Sequence, residues 1–354
     1  MQAELATQYG QERLPRYTSY PTAPHFSPAI DANTYLGWLK SMPSPRTASL
    51  YLHVPFCRVM CWYCGCHTSV TKQDEPIKVY TSALRCEIKL IADALQKRIP
   101  VAHIHFGGGT PTIMAAESFS DLVTAIRTSF FVLPNAEIAV EIDPRTLTER
   151  MSEAMGYCGV ARASLGVQSF DPHVQRAINR IQTAEQTEAA VYRLRRASVR
   201  GINFDLIYGL PHQTVASCLD TVERCVALRP DRFAVFGYAH VPSFKKHQRK
   251  IAEAALPDSF ERHRQFETIA EALERAGYIR IGLDHFALPT DPMAVAQREQ
   301  RLRRNFQGYT DDSADTLIGL GASAIGRMPQ GFVQNAVATR DYLARIAEDR
   351  FATS

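Results

Sequence analysis

From Ser49 onward, short apolar runs rich in β-formers alternate with longer stretches whose apolar residues recur at helical spacing. The runs at residues 49–56 (SLYLHVPF), 101–108 (VAHIHFGG), 137–143 (EIAVEID), 162–169 (RASLGVQS), 202–209 (INFDLIYG), 232–239 (RFAVFGYA) and 278–286 (YIRIGLDHF) predict strands. Between them, residues 80–96, 119–130, 214–228 and 259–276 predict helices. Alternation of this regularity means βαβ units, right-handed crossovers and a parallel sheet. Six or seven such units predict an α/β fold, a complete or partial parallel (β/α) barrel rather than a two-layer domain. Four prolines between Leu14 and Ala29 make the start an irregular lead-in. The expected division is 1–48 as N-terminal segment, 49–290 as barrel and 291–354 as the start of a C-terminal region. In such folds ligands bind at the C-terminal ends of the strands, which is where chemistry should be sought.

Composition narrows the class. At 354 residues and 45% hydrophobic, the chain is long enough for a large core. A formal charge of +4 without a run of five like charges points away from nucleic acid and from a polybasic membrane patch. It suits an acidic small molecule. The first twenty residues have no apolar signal region, and no stretch nears 18 apolar residues. Eight cysteines then belong to a reducing compartment, and the expectation is a soluble cytoplasmic protein.

Four of those cysteines lie within ten residues, just after the first predicted strand: Cys57, Cys61, Cys64 and Cys66. Spacings of four and three bring the first three thiols onto one loop. Thiolates are soft anionic ligands for iron–sulfur clusters or zinc. Three ligands for a four-iron cubane leave one iron open to a further ligand. A structural zinc site remains an alternative, although it would usually draw ligands from farther along the chain. Cys86, Cys158, Cys218 and Cys225 fall in helical patterns, and the last two share a helix face that suits a core.

Other candidates also follow strands. Gly107-Gly108-Gly109-Thr110 closes the second, and its glycines permit close approach of a ligand to the backbone. Glu141 ends the third, where a carboxylate can accept bonds from ribose hydroxyls; the neighbouring Asp143 is the better candidate for a plain helix cap. Gln168 ends the fourth and Asp205 lies inside the fifth. Polar groups in apolar strands cost free energy unless paired, so both are candidate site residues.

Together these motifs resemble the oxygen-independent coproporphyrinogen III oxidases of the radical S-adenosylmethionine (radical SAM) superfamily. The likeness runs through RYTSYPTA at 16–23, the CxxxCxxCxC cluster, GGGTPT at 107–112, Glu141-Ile-Asp-Pro and GVQ ending in Gln168. It continues through Asn179-Arg180, DLIYGLP at 205–211, Tyr238-Ala-His240, Asp284-His-Phe286, NFQGY at 305–309 and GASAI at 321–325. The resemblance implies a partial barrel of the radical SAM type. It implies a [4Fe–4S] cluster on Cys57, Cys61 and Cys64, with Cys66 not a ligand. A first S-adenosylmethionine would lie against Tyr51, Tyr63, Gly108, Glu141 and Ile325. A second would lie against Gly109, Thr110, Gln168, Arg180, Asp205 and Ala239. The implied reaction converts two propionates of coproporphyrinogen III to vinyl groups, giving protoporphyrinogen IX for haem biosynthesis. Flavodoxin or ferredoxin would be the reductant, and the chain would act as a monomer without nucleic acid or membrane.

A tetracarboxylate substrate calls for cations. Arg16, Arg180 and the run from Arg298 to Arg304 are the candidates, with a solvated helix face as the alternative reading of Arg301, Arg303 and Arg304. Two other functions share the superfamily: a haem-acting methyltransferase and a non-catalytic haem chaperone. Cys66 and the RYTSYPTA segment favour the oxidase. Family members usually continue beyond the position of Ser354, so the C-terminal region is expected to be incomplete.

Overall fold

A computed structural model describes residues 26, 29–43, 46–305 and 308–353. The segment at 16–23, with Arg16, lies outside these residues, as do Phe306 and Gln307. Fifteen strands are described. β1 is Ala48–Val54, β2 Phe56–Cys57, β3 Ser69–Val70, β4 Pro100–Gly108 and β5 Phe131–Ile142. β6 is Arg162–Gln168, β7 Gly201–Tyr208, β8 Arg232–Gly237, β9 Ile279–Ile281 and β10 His285–Ala287. β11 is Arg303–Asn305, β12 Gly308–Thr310, β13 Thr316–Leu320, β14 Ile325–Met328 and β15 Gly331–Gln334.

Eleven of them form one sheet in the order β15-β14-β13-β1-β4-β5-β6-β7-β8-β10-β9. The run from β13 to β8 is parallel, and both margins are antiparallel. The order has two ends, so the sheet is an open, partial barrel. β1 and β4 to β8 are neighbours in chain order, joined by helices that include Glu75–Leu95, Ala116–Ser129, Glu149–Tyr157, Ala184–Arg196 and Val215–Ala227.

The first six predicted strands are these six. The seventh is instead a hairpin, because Gly282 turns the chain at φ +57° and leaves two antiparallel strands of three residues. β13 was not foreseen. It is a five-residue apolar run, TLIGL, too short for periodicity to distinguish strand from helix. It pairs along β1 from Ala48↔Thr316 to Leu52↔Leu320 and so joins residues beyond 290 to the barrel sheet.

Period-two alternation sorts the strand residues between two environments. Leu50, Leu52, Ile104, Phe106, Ile138, Val140, Leu165, Phe204 and Phe233 are buried in the main apolar core. The intervening positions carry polar groups that bond across the barrel interior. His105 reaches Glu141 at 3.1 Å, Ser164 donates to Asp205 at 3.0 Å, and Arg162 faces Glu137 at 3.4 Å. At the N-terminal end of the strands, Asp291 accepts from Arg232 at 2.6 Å and pairs with Arg162 at 3.4 Å. Buried charges are tolerated only when paired in this way.

A second buried carboxylate fastens the C-terminal segment. Glu87, on Glu75–Leu95, accepts hydrogen bonds from Gly321 N at 2.7 Å, Asn335 Nδ2 at 2.7 Å and the Tyr342 hydroxyl at 2.8 Å. Burial pushes its carboxyl up to about 7, against the pull of those three donors. Glu87 therefore favours the fold fully below its ordinary value of 4.5 and loses that contribution as the pH rises through about 7. In urea unfolding, the stability advantage of the native chain over Glu87→Gln is expected to be greatest at acid pH. It should shrink by roughly 3 kcal/mol toward neutrality.

Candidate active site

The cysteine loop leaves the C-terminal end of β1. β2 pairs in parallel with β3, which pins the two ends of the loop together. Cys61 is buried, Cys57 and Cys64 are partly buried and Cys66 is exposed. Each of the first three sulfurs has polar company. Thr68 donates to Cys57 Sγ at 3.4 Å, and the Thr110 hydroxyl lies 3.4 Å from the same sulfur. Arg180 and Arg145 donate to Cys61 Sγ at 3.5 and 3.7 Å, and Cys66 N donates to Cys64 Sγ at 3.4 Å. Burial raises the Cys57 thiol, with a smaller push from Cys64 and Cys61, so the three lie within electrostatic reach of one another. The Cys64 thiol is pulled down to about 7, chiefly by its bond with Cys66.

The loop backbone is held from two sides. Asn179, in a left-handed conformation at φ +53°, donates to Met60 O at 2.9 Å, and Trp62 N donates to Ile178 O at 2.9 Å. From the segment after β8, Gln248 donates to Tyr63 O at 3.0 Å, His247 Nε2 lies 2.7 Å from Cys64 O, and Lys245 donates to Cys66 O at 3.0 Å. Gln248 also donates to Ala239 O at 3.2 Å and accepts from Val241 N at 2.6 Å. One amide thus joins Tyr63 and Ala239, two of the expected cofactor residues.

The glycine turn packs against protein groups. A Cβ on Gly107 would meet a Glu141 oxygen at 2.7 Å, and one on Gly108, at φ +116°, would meet the His53 ring at 2.7 Å. One on Gly109 would strike Phe56 O and the Thr68 hydroxyl at 2.6 Å. Gly108 N donates to Glu141 Oε2 at 3.0 Å, and Gly109 N donates to Val54 O. The glycines admit Glu141 and His53 to the backbone, which places the carboxylate at the mouth. Burial would raise the Glu141 carboxyl, but His105 and the Gly108 amide hold it below the usual range. Tyr51 stacks on His105, with its hydroxyl 3.0 Å from His53 Nδ1. Ile325 opens β14 beside Ala324, which packs with Tyr51 and Leu317.

Asp143 caps no helix; Thr148 caps the next one. Asp143 instead bonds Arg145 at 2.6 Å and pairs with Arg180 at 3.4 Å, forming an ionic bridge beside Cys61. Arg180 also donates to Gly166 O at 2.6 Å. Gln168 sits in the left-handed region at φ +69°, a conformation uncommon outside glycine. Asp205 lies deeper, held by Ser164 and by Asn203 Nδ2 at 2.8 Å; burial raises its carboxyl to about 6. No described contact joins Asp205 or Ile325 to the cysteines.

Among the described residues, the buried Gln168 Oε1 and Arg180 Nε at this end have no hydrogen-bond partner. Unpaired buried groups are costly, and a polar ligand here would relieve both. Among the described residues, no three His, Cys, Asp or Glu side chains converge as ligands of a single ion would. A four-iron cluster asks less, because each thiolate bonds a different iron. Three mutually sensitive thiols, each supplied with hydrogen-bond donors, fit such a cluster, and the orphaned atoms fit a polar cofactor beside it.

The Radical SAM superfamily model matches residues 51–225. The chain is 66% identical to the oxygen-independent coproporphyrinogen III oxidase of Bradyrhizobium diazoefficiens, over all of this chain and 79% of that protein. It is 48% identical to the Paracoccus denitrificans protein of the same name, over 97% of this chain and 76% of that one. It belongs to this oxidase family. The solved structure of coproporphyrinogen III oxidase from Escherichia coli, a radical SAM enzyme, superposes with a TM-score of 0.91 at 39% identity. That match covers 95% of this chain and 77% of that one. As a radical SAM oxidoreductase, the chain uses a [4Fe–4S] cluster and S-adenosylmethionine.

Within this oxidase fold, sequence reasoning missed Arg145, Asn179 as a loop clamp, and the group Lys245, His247 and Gln248. For Lys245, His247 and Gln248 the signal was the polar stretch after β8; they and Asn179 grip backbone, which has no sequence signature, whereas Arg145 bonds the Asp143 carboxylate and Cys61 Sγ. The arginine run is not a helix face. Arg298 ends the helix Pro292–Arg298, Arg303 and Arg304 lie on β11, Arg301 pairs with Glu299, and Arg304 stacks on Tyr309 at 4.8 Å.

Replacing Gln248 by Ala removes its hydrogen bond to the loop at Tyr63 O and the two that fix Ala239 and Val241 behind it, and should cost about 2–3 kcal/mol of local stability. After anaerobic iron–sulfide loading, faster release of iron to a chelator than in the native chain is the expected result. Cys66→Ala should release iron at the native rate.

Proposed function

We propose that this chain catalyses the oxygen-independent oxidative decarboxylation of coproporphyrinogen III to protoporphyrinogen IX in haem biosynthesis, through a 5′-deoxyadenosyl radical. The observation that carries this reading is the 66% identity to an oxidase of that name along the whole chain. Cys57, Cys61 and Cys64 would hold the cluster. Tyr51, Tyr63, Gly108, Glu141 and Ile325 would line one S-adenosylmethionine. Gly109, Thr110, Gln168, Arg180, Asp205 and Ala239 would line a second. When bound, the reduced cluster and S-adenosylmethionine supply a carbon radical able to take hydrogen from an unactivated C–H bond.

The chain's own residues prepare that chemistry. Arg180 and Arg145 place positive charge and hydrogen-bond donors beside Cys61 Sγ. Glu141, kept ionised by His105 and the Gly108 amide, is an acceptor for paired hydroxyls. Gln168 and Arg180 offer one acceptor and one donor, both buried and free to bond a polar ligand. Thr110 lies against Cys57 Sγ, so a ligand on the glycine turn would adjoin the cluster loop. The cationic Arg180 is committed to Asp143, Cys61 and Gly166 O, which makes it a cofactor residue rather than a propionate anchor. The reductant is an acidic one-electron carrier such as flavodoxin or ferredoxin, and the chain works as a monomer in the cytoplasm.

Anaerobic turnover with dithionite, S-adenosylmethionine and coproporphyrinogen III tests the reading, with 5′-deoxyadenosine and porphyrins followed together by chromatography. Deoxyadenosine with a vinyl product is expected. Haem consumption, or haem binding without vinyl product, would replace the oxidase by a haem-acting methyltransferase or a haem chaperone. Arg180→Ala should lower the deoxyadenosine rate at least 100-fold, since it strips positive charge from Cys61 and leaves Asp143 with a single arginine.

A further inference from the structure

The segment that grips the cysteine loop has an outer face. Residues 245–250 read Lys-Lys-His-Gln-Arg-Lys, with five basic or imidazole side chains in six positions. They form a short 3-10 helix over Lys246–Lys250. Its inner side is spent on the loop: Gln248 is buried against Tyr63 O, and Lys245 and His247 reach Cys66 O and Cys64 O. Lys246, Arg249 and Lys250 are exposed, and Lys250 lies 5.6 Å from the Trp62 ring of the same loop. Phe244, 85% exposed, and Val241, 39% exposed, stand beside them. An apolar centre within a basic rim therefore sits on the outside of the loop that carries Cys64. The nearby acidic group on this segment is Glu253, which faces His240 at 3.2 Å.

We propose that residues 241–250 are the docking surface for an acidic one-electron carrier protein, which passes its electron to the cluster behind the Tyr63–Cys66 backbone. The proposal rests on the radical SAM reading given above. The carrier is oxidised by one electron and the cluster is reduced by one; no bond or proton changes hands at the surface. Charge complementarity selects the occupant. Electron-transfer contacts are small and transient, steered by opposite charge, and a single exposed aromatic ring in a lysine–arginine rim is of that scale. Position argues the same way, because His247 and Gln248 of this segment bond directly to the backbone of Cys64 and Tyr63. Another basic region, the groove of about 960 Å³ that includes Arg85, Lys89, Lys97 and Arg98, lies between Glu75–Leu95 and Ala116–Ser129 on the outer helical layer. There Lys89 is paired with Asp93, and Lys97 and Arg98 are bonded to backbone carbonyls. It serves as the control.

The test uses the cluster-loaded chain, a bacterial flavodoxin as probe, and two variants, Lys246→Glu/Arg249→Glu and Arg85→Glu/Lys89→Glu. Binding of fluorescently labelled oxidised flavodoxin is measured by anisotropy at low and high salt. Deoxyadenosine formation is measured with flavodoxin hydroquinone and, separately, with dithionite. The first variant should weaken binding and flavodoxin-driven turnover at least tenfold, flatten the salt dependence, and keep native iron content and native dithionite-driven turnover. The groove variant should match the native chain in every assay. Native flavodoxin binding by the first variant, or loss confined to the groove variant, would overturn the proposal. Absence of dithionite-driven deoxyadenosine in the native chain would count against the radical reading instead, while the anisotropy arm still decides the docking surface.

Discussion

Three thiolates on one ten-residue loop repel one another, and the site depends on how that repulsion is restrained. The protein does so on two levels. Arg145 and Arg180 bring positive charge to Cys61, and both are locked by Asp143. The loop backbone is meanwhile held by Asn179 on one flank and by Gln248, His247 and Lys245 on the other. The grips come from the segments after β6 and after β8, whereas the loop itself follows β1, three strands from β6 in the sheet. The loop can therefore keep its shape only when the strands from β1 to β8 are seated in one sheet, and cluster geometry is coupled to global folding.

The barrel interior follows from the same economy of charge. Its polar side chains would be costly if left single, so they are arranged in pairs and triads from the Arg232–Asp291 contact at the bottom to His105–Glu141 near the mouth. At the upper end the pairing stops short. Gln168 and Arg180 each keep one buried atom without a partner, and Asp205 has its carboxyl raised by burial. The two unpaired atoms, on Gln168 at the end of β6 and on Arg180 beside Cys61, lie where a bound polar ligand would recover the free energy they cost.

Much of this was legible beforehand for a physical reason. In β1, Leu50, Leu52 and Val54 alternate with Ser49, Tyr51 and His53, and β4 repeats the rhythm with Ile104 and Phe106 alternating with His103 and His105. That pattern holds wherever a strand has one face in an apolar layer. It fails for TLIGL, a five-residue run with no polar position among its last four residues to set a period, and for the Gly282 hairpin, where a turn interrupts an otherwise strand-like run. Cys218 and Cys225 were foreseen as core residues and are buried on Val215–Ala227.

By itself the sequence determined the strand–helix series, the placing of candidate residues after strands, and the cysteine spacing that limits the ligand chemistry. These are local properties, set by period and by side-chain type. Only the tertiary structure decided that Asp143 bridges two arginines instead of capping a helix, that the glycine turn admits Glu141 and His53, and that Gln248 joins Tyr63 to Ala239. Apart from Asp143–Arg145, two residues apart, each of those contacts joins segments tens to nearly two hundred residues apart or ends on a backbone atom. A backbone carbonyl is the same at every position, so nothing in the chain's letters announces which one will be held.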